Sequence, residues 1–126
     1  MGIRGFGETK EEAFEQAALA MVAISVEPGS IEQNEQVEIT CKQDDDELLF
    51  IDWLNRIIYE MATRKMLFSK FEVRIDGDKL AAKAFGEKLD LKRHRPVVEI
   101  KGATYSDLKV QQDKNGTWIA QCIVDI

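Results

Sequence analysis

The sequence predicts an α+β fold in which two helices pack on a mostly antiparallel, hairpin-rich sheet, as a two-layer single domain over residues 1–126. Three observations support this prediction. Two segments repeat apolar residues at helical spacing, and several others alternate polar and apolar residues as strands do. Glycine-containing turns then join the later strands into hairpins. With 126 residues the chain is long enough to bury a core of its own.

A capping box predicts where the first helix begins, after a short glycine-rich strand over residues 1–6. The Thr9 hydroxyl can accept a hydrogen bond from the Glu12 amide, while the Glu12 side chain reaches back to the Thr9 amide. The proline–glycine pair at residues 28–29 is expected to end this helix. Its predicted apolar face is Phe14, Ala17, Ala18, Met21 and Ile24.

A strand over residues 36–42 leads to four consecutive acidic residues at 44–47. These acids are interpreted as an N-terminal helix cap rather than metal ligands, because successive residues at a helix start point in different directions. The second helix is predicted from Glu47 to about Thr63. Its apolar arc is wide enough to predict a central helix, with Asp52 and Asn55 on a narrow polar edge. The arc comprises Leu48, Leu49, Phe50, Ile51, Trp53, Leu54, Ile57 and Ile58.

Two hairpins and one bent strand complete the predicted sheet. Gly77 and the pair Asn115-Gly116 mark the hairpin turns, because glycine and asparagine tolerate positive φ. Residues 97–105 are predicted to form a strand that bends at Gly102. The predicted hairpin strands are residues 68–76 with 79–86, and residues 108–111 with 117–126.

The basic connection between the hairpins contains the only histidine, His94. A lone histidine in such a segment is expected to be exposed and solvated, and the alternative is a metal-binding or catalytic role. Tyr105 is expected to pack on the sheet. Cys41 and Cys122 lie in separate predicted strands, which favours free buried thiols in a cytosolic protein.

Composition and motifs exclude several classes of function. A net charge of −6 and a pI near 4.9 argue against a protein that holds nucleic acid by itself. No signal-peptide pattern and no apolar run of membrane-spanning length are present, so a soluble cytoplasmic protein is expected. The sequence contains no phosphate-binding loop, nucleophile elbow, zinc-protease motif or cysteine–histidine pair at a recognised spacing. It therefore favours a protein that is not an enzyme on its own.

The last strand ends in two neighbouring carboxylates. The side chain of Asp125 stands one residue from the α-carboxylate of Ile126. Carboxylate oxygens suit Ca²⁺ or Mg²⁺ better than soft metals. The alternative interpretation is a strand end without a ligand, and spacing alone does not decide between the two.

The chain resembles the archease family over essentially its whole length. The segment at Lys101–Tyr105 and the ending Asp125-Ile126 are the most specific matches. The matching residues are GIRGFGET at 2–9, EEAFEQAALAM at 11–21, Leu48-Leu49, Trp53-Leu54-Asn55, Leu67-Phe68, Phe71-Glu72-Val73, Gly86-Glu87, His94, EIKGATY at 99–105 and Val124-Asp125-Ile126.

This resemblance implies an accessory protein. Archeases are activators of the RNA-splicing ligase RtcB, which joins 2′,3′-cyclic-phosphate or 3′-phosphate ends to 5′-hydroxyl ends in tRNA splicing. The family is thought to speed guanylylation of the ligase histidine and to permit multiple turnover. The expected partner is therefore an RtcB-type ligase, with RNA contacted only indirectly and no membrane involved.

The resemblance also implies a divalent cation, typically calcium. Family members bind it through an aspartate near the N-terminus, the penultimate aspartate and the terminal carboxylate, and the last two correspond to Asp125 and Ile126. The first aspartate belongs to a His-Thr-Ala-Asp segment that precedes the stretch matching Gly2–Gly7. Because this sequence starts one position after that aspartate, the N-terminal strand is expected to be truncated and the cation site incomplete.

Lys101 and His94 are expected to contact the partner. For Lys101 the alternative is a lysine on the solvent face of a strand. Two other functions stay open at this point. One is a metal-dependent phosphoesterase that uses Asp125 and Ile126 with Asp52 or His94. The other is a chaperone-like interaction module.

Overall fold

The structure, a computed structural model, describes all residues from Met1 to Ile126. Its helices are α1 (Lys10–Ser25), α2 (Asp46–Arg64) and the short α3 (Leu91–His94), with a 3-10 turn over Pro28–Ser30. Its strands are β1 (Gly2–Gly7), β2 (Glu35–Lys42), β3 (Met66–Asp76), β4 (Lys79–Lys88), β5 (Gly102–Ala103), β6 (Lys109–Gln112) and β7 (Trp118–Asp125). None of the helices combines the length and hydrophobicity that crossing a bilayer requires.

The strands divide into two antiparallel sheets. In the first sheet β7 lies between β1 on one side and β5 and β6 in succession on the other. The second sheet has the order β2–β4–β3. The predicted α+β class and its antiparallel hairpins are confirmed, while the strands form two sheets instead of one continuous sheet. A single cluster of 29 buried apolar residues forms the core.

Helix α1 packs against strands of both sheets. Glycine is required where β1 crosses it, because a Cβ on Gly5 would lie 2.3 Å from the Ala13 oxygen and the Ala17 nitrogen. Only one of the two predicted capping-box hydrogen bonds forms. The Glu12 amide donates to Thr9 Oγ1 at 3.1 Å, but the Thr9 amide does not donate to the Glu12 side chain. The buried residues of α1 are Ala13, Phe14, Ala17, Ala18, Met21 and Val22.

Helix α2 begins at the predicted acidic cap. The Asp45 carboxylate accepts from the amides of Glu47 and Leu48, which confirms that the acidic run caps a helix. Leu48, predicted on the apolar arc, is instead 40% exposed. The indole of Trp53 donates to the Phe14 oxygen at 3.1 Å and so joins α2 to α1 in the core. The buried residues of α2 are Leu49, Phe50, Ile51, Trp53, Leu54, Ile57 and Glu60.

The predicted strand over residues 97–105 is mostly wrong, because only Gly102 and Ala103 pair in a sheet. The segment before them uses its backbone differently. The Val97 amide donates to the Ser25 oxygen at 2.9 Å, at the C-terminal end of α1. Tyr105, predicted to pack on the sheet, is 69% exposed.

The two cysteines are free thiols, as predicted. Cys122 is buried and Cys41 is half-buried. Burial raises the pKa of each thiol to about 11. Neither is therefore a reactive thiolate near neutral pH.

Candidate functional site

The backbone of β5 and β7 positions a charged edge at the end of the first sheet. Gly102 pairs with Asp125 in the sheet, and the Lys101 backbone amide donates to the Asp125 backbone carbonyl oxygen at 2.8 Å. On the other side of β7, the Val124 amide donates to the Met1 oxygen at 2.8 Å. We call Lys101, Gly102, Asp125 and Ile126 the carboxyl edge.

The charged side chains of the carboxyl edge have no partners within the chain. Asp125 and Lys101 are both exposed, and neither takes part in an ion pair. Ile126 is 46% exposed. The backbone of this edge is fixed by hydrogen bonds, so the fold presents charges at defined positions without neutralising them. Such an edge is suited to contact with an ion or another molecule.

Asn55 of α2 anchors the carboxyl edge to the core layer. Its Oδ1 accepts from the Ala103 amide at 2.9 Å and would lie 3.7 Å from a Cβ on Gly102. The sequence signal was a polar residue in an otherwise apolar helix, which predicted only a solvated helix edge. Thr104 adds a second anchor, because its hydroxyl donates to the Ile123 oxygen at 2.9 Å.

The donor atoms at the carboxyl edge fit a hard cation in kind but not in number. Asp125 supplies side-chain carboxylate oxygens, which calcium prefers, and it is exposed and unpaired. Calcium takes about six to eight oxygen ligands, so most of them would have to come from water, backbone or another molecule. No group of three or more His, Cys, Asp or Glu residues in the chain is gathered for metal binding.

His94 lies in a different, closed cluster, and the prediction of an exposed histidine is wrong. Its side chain is fully buried. Nδ1 accepts from the Asp90 amide at 2.9 Å, so the ring proton of neutral His94 is on Nε2. Nε2 then donates to Glu87 Oε2 at 3.0 Å. Both ring nitrogens are therefore in use, and neither is free to bind a metal.

Glu87 is the centre of this cluster. Its carboxylate accepts from the Arg93 guanidinium, from the Glu32 amide at 2.7 Å and from His94. These bonds, Arg93 first, lower the pKa of Glu87 to about 2. Arg93 also donates to the Ser30 oxygen at 2.8 Å. The cluster thus joins the end of β4, the 3-10 turn and α3 through satisfied side chains.

The structure brings together some predicted site residues and separates others. Lys101, Asp125 and Ile126 share the carboxyl edge. No hydrogen bond or ion pair joins His94 to that edge, and Asp52 instead accepts from the Gln43 side chain at 2.7 Å. Since its ring is buried, His94 could influence a partner only by holding Glu87 and Arg93 in place.

Fold and site together define a small α+β domain that presents an edge of unpartnered charged groups. The model of the Archease protein family matches residues 1–126, and the chain therefore belongs to the archease family. The predicted resemblance is confirmed.

Relatives support the same assignment over the whole chain. The sequence is 38% identical to protein archease of Pyrococcus abyssi, in an alignment covering 100% of this chain and 92% of that protein. It is 37% identical to protein archease of Methanosarcina barkeri, covering 98% and 87% respectively.

Two solved structures resemble the fold. The solution structure of protein 1598 from Methanobacterium thermoautotrophicum matches with a TM-score of 0.85 and 32% identity, covering 99% of this chain and 91% of that one. The crystal structure of an archease from Thermotoga maritima, described as a possible chaperone, matches with a TM-score of 0.67, covering 100% and 90%. At 20% identity, the second likeness concerns the fold alone.

Proposed function

We propose that this archease activates an RtcB-type RNA ligase in tRNA splicing, acting in the cytoplasm and catalysing no reaction itself. It promotes guanylylation of the ligase and so permits multiple turnover. The observation that most supports this proposal is membership of the archease family over all of residues 1–126. The ligase is the direct partner, and RNA is contacted only through it, in keeping with a net charge of −6.

The carboxyl edge is the surface proposed to act on the ligase. Asp125 and Ile126 would hold calcium or another divalent cation, which supplies positive charge at this edge when bound. Lys101 supplies a second positive charge from the neighbouring segment, and the hydrogen bond from its backbone amide to the Asp125 backbone oxygen keeps the two residues adjacent. Asn55 holds that segment in place from α2. Exposed, unpaired charges on a fixed backbone can approach a partner without first breaking internal contacts.

The proposal is tested by measuring ligase guanylylation and ligation turnover with GTP and limiting Mn²⁺ or Mg²⁺. Addition of the protein should raise both rates, and Asp125→Asn should reduce this stimulation. Asp76→Asn is the matched control, because Asp76 is also an exposed strand-end aspartate and lies outside the carboxyl edge.

A second arm addresses the third ligand that the family supplies. A version extended before Met1 by a His-Thr-Ala-Asp segment should bind calcium more tightly, because one more carboxylate joins the site. If neither version changes guanylylation or turnover, the proposed function is wrong.

A chaperone-like interaction module is the second candidate. The observation that favours it is the pair of highly exposed apolar side chains Leu91 and Val97. Exposed apolar surface is typical of proteins that bind other proteins. Suppressed aggregation of several unrelated clients would favour this function, whereas an effect on the ligase alone would contradict it.

A further inference from the structure

Strand β1 is an edge of the first sheet, and one of its two sides has no neighbouring strand. On the paired side, Met1 and Val124 exchange two backbone hydrogen bonds, of 3.2 and 2.8 Å. Hydrogen-bonding direction alternates along an antiparallel strand, so the N–H and C=O groups of Gly2, Arg4 and Phe6 point away from β7. No other part of the chain bonds to these backbone groups.

The other sheet edges are protected against strand addition. On β3, Glu15 of α1 accepts from the Val73 amide at 2.8 Å, and the register shifts between Phe68 and Lys70 as at a β-bulge. Strand β2 carries three charged residues, and β6 has only four residues. Side-chain charges, bulges and short strands are the usual means of blocking unwanted pairing. Strand β1 has six residues, three of them glycine, and its only charge is at Arg4.

A groove of about 700 Å³ lies beside β1, and we call it the β1 groove. Its lining includes Arg4, Gly5 and Phe6 but no residue of β7, which places the groove on the unpaired side of the strand. The 3-10 turn and Ile31 form the opposite wall. The unpaired backbone groups therefore face a space bounded on both sides.

The side chains that line the β1 groove add two preferences. Helix α1 contributes Leu19, Ala20 and Ala23, which leave apolar surface beneath the edge of the sheet. Arg4 is the only charged residue in the lining. Its side chain donates to Gln121 at 2.9 Å but forms no ion pair, so its positive charge is not neutralised within the chain.

We infer that the β1 groove binds an extended segment of a partner protein, which joins the first sheet as an antiparallel strand beside β1. Backbone groups that repeat every second residue are matched by the backbone of another strand. Alternate side chains of this segment would pack on α1 and favour apolar residues. The others would lie on the opposite face, where Arg4 favours aspartate or glutamate. The inference goes beyond the proposed function and does not depend on the carboxyl edge.

Other occupants match the β1 groove less well. Two-fold pairing of β1 with a second copy would press the 3-10 turn of each chain against the other, and each chain has a net charge of −6. Nucleic acid would find only one cation in the lining, whereas its binding depends on neutralising many phosphates. A lipid surface would leave the unpaired backbone groups unsatisfied.

The test uses the ¹⁵N-labelled protein and a synthetic peptide of about eight residues. The peptide alternates valine with threonine, and a glutamate replaces the threonine opposite Arg4. Hydrogen exchange at the Arg4 and Phe6 amides, followed by NMR, should slow at least about tenfold when the peptide binds. The Ile3 and Gly5 amides should change little, because they already point towards β7.

Two methylated peptides test whether the backbone carries the binding. In an antiparallel strand, the amides of the threonine and glutamate residues would face β1, and those of the valines would face away. Methylation of three β1-facing amides should weaken binding at least about tenfold. Methylation of three valine amides should weaken it less than about threefold.

Variants of the protein locate the peptide. Ala23→Trp fills the β1 groove from an exposed position of α1 and should weaken binding at least about tenfold. Ala62→Trp is the matched control, since Ala62 is an exposed helical alanine outside this groove; it should leave binding unchanged. A peptide with lysine in place of glutamate should bind the wild-type protein more weakly, and Arg4→Glu should reverse that preference.

The inference is wrong if exchange at the Arg4 and Phe6 amides does not slow at about 1 mM peptide. It is also wrong if the two methylated peptides bind equally well, or if Ala62→Trp weakens binding as much as Ala23→Trp. Slower exchange at these amides that grows with protein concentration alone would assign the edge to a second copy instead. None of these measurements uses the ligase, so failure here is separate from failure of the proposed function.

Discussion

The carboxyl edge and the Glu87 cluster use charge in opposite ways. Glu87 is 8% exposed and accepts from three other residues, one of which is the buried His94. Asp125 is exposed and forms no ion pair. The only histidine has a side chain that can act as an acid, a base or a metal ligand. Here both of its ring nitrogens bond within the chain, so its role is structural. The groups free to meet a partner are ordinary charged residues that the fold leaves unpaired.

This difference predicts how substitutions divide between stability and function. A group in the closed cluster cannot be removed without leaving a buried polar atom unsatisfied. A group on the carboxyl edge is already hydrated, so its removal changes what the edge can bind and leaves the core intact. Four variants test this contrast, from the largest expected effect on stability to the smallest.

Glu87→Gln should lower the melting temperature most, because it leaves the Arg93 guanidinium without its countercharge. The effect should depend on pH. The pKa of Glu87 is lowered from 4.5 to about 2, so its stabilising charge is fully present above about pH 4.5 and is lost as the pH falls through about 2. Melting curves of both proteins should therefore converge as the pH is lowered across this range. A gap in melting temperature that stays constant with pH would contradict the role of Glu87.

His94→Ala should reduce the free energy of unfolding by about 2 kcal/mol, since the Glu87 carboxylate and the Asp90 amide both lose a partner. Urea denaturation measures this loss. His94→Asn separates the two bonds, because its side-chain oxygen can still accept from the Asp90 amide and only the Glu87 bond is lost. It should be intermediate in stability, and a fully stable His94→Ala would show that the cluster is not structural.

Asn55→Ala tests the boundary between the two kinds of region, because Asn55 supports the carboxyl edge from a core helix. We expect a loss of about 1 kcal/mol, with faster hydrogen exchange at the Ala103 amide that it binds. Asn55→Asp keeps an oxygen acceptor and should preserve protection of that amide. If protection of Ala103 is unchanged in Asn55→Ala, the edge is held by its pairing with β7 alone.

Asp125→Asn should change the free energy of unfolding by less than about 0.5 kcal/mol, because its side chain is exposed and unpaired. Calcium affinity, measured by calorimetry, should nevertheless fall about tenfold or more, because the proposed site loses the side-chain carboxylate of Asp125. Asp76→Asn should alter neither quantity. A clear loss of stability in Asp125→Asn would remove the contrast between open edge and closed cluster.

Local signals predicted much of the fold. The cap at Asp45 follows from an acidic run before an apolar arc, and Gly77 and Gly116 take the positive φ that hairpin turns need. Among the predictions that failed are those for residues 97–101 and Tyr105. Alternation there suggested a strand, but the segment bonds to the end of α1 and leaves the tyrosine exposed.

The candidate site was predicted in part. Adjacency along the chain was enough to single out Asp125 and Ile126. Asn55 was recognised as an exception on its helix, but its contact with Ala103 spans 48 residues and no local window contains it. His94 was misjudged for a different reason. Glu87 is only seven residues away, but the basic neighbours in sequence give no sign that the end of β4 lies against the histidine ring.

The sequence by itself determined the features whose physics is local: the helix caps, the turns, the apolar periodicities and the aspartate at the end of the last strand. The tertiary structure alone decided which charged groups are paired. Burial and partnership depend on residues brought together from distant parts of the chain, as Glu32, Glu87 and Arg93 are. As a result, the charge of Glu87 is neutralised within the chain, whereas the charged side chains of the carboxyl edge remain without partners.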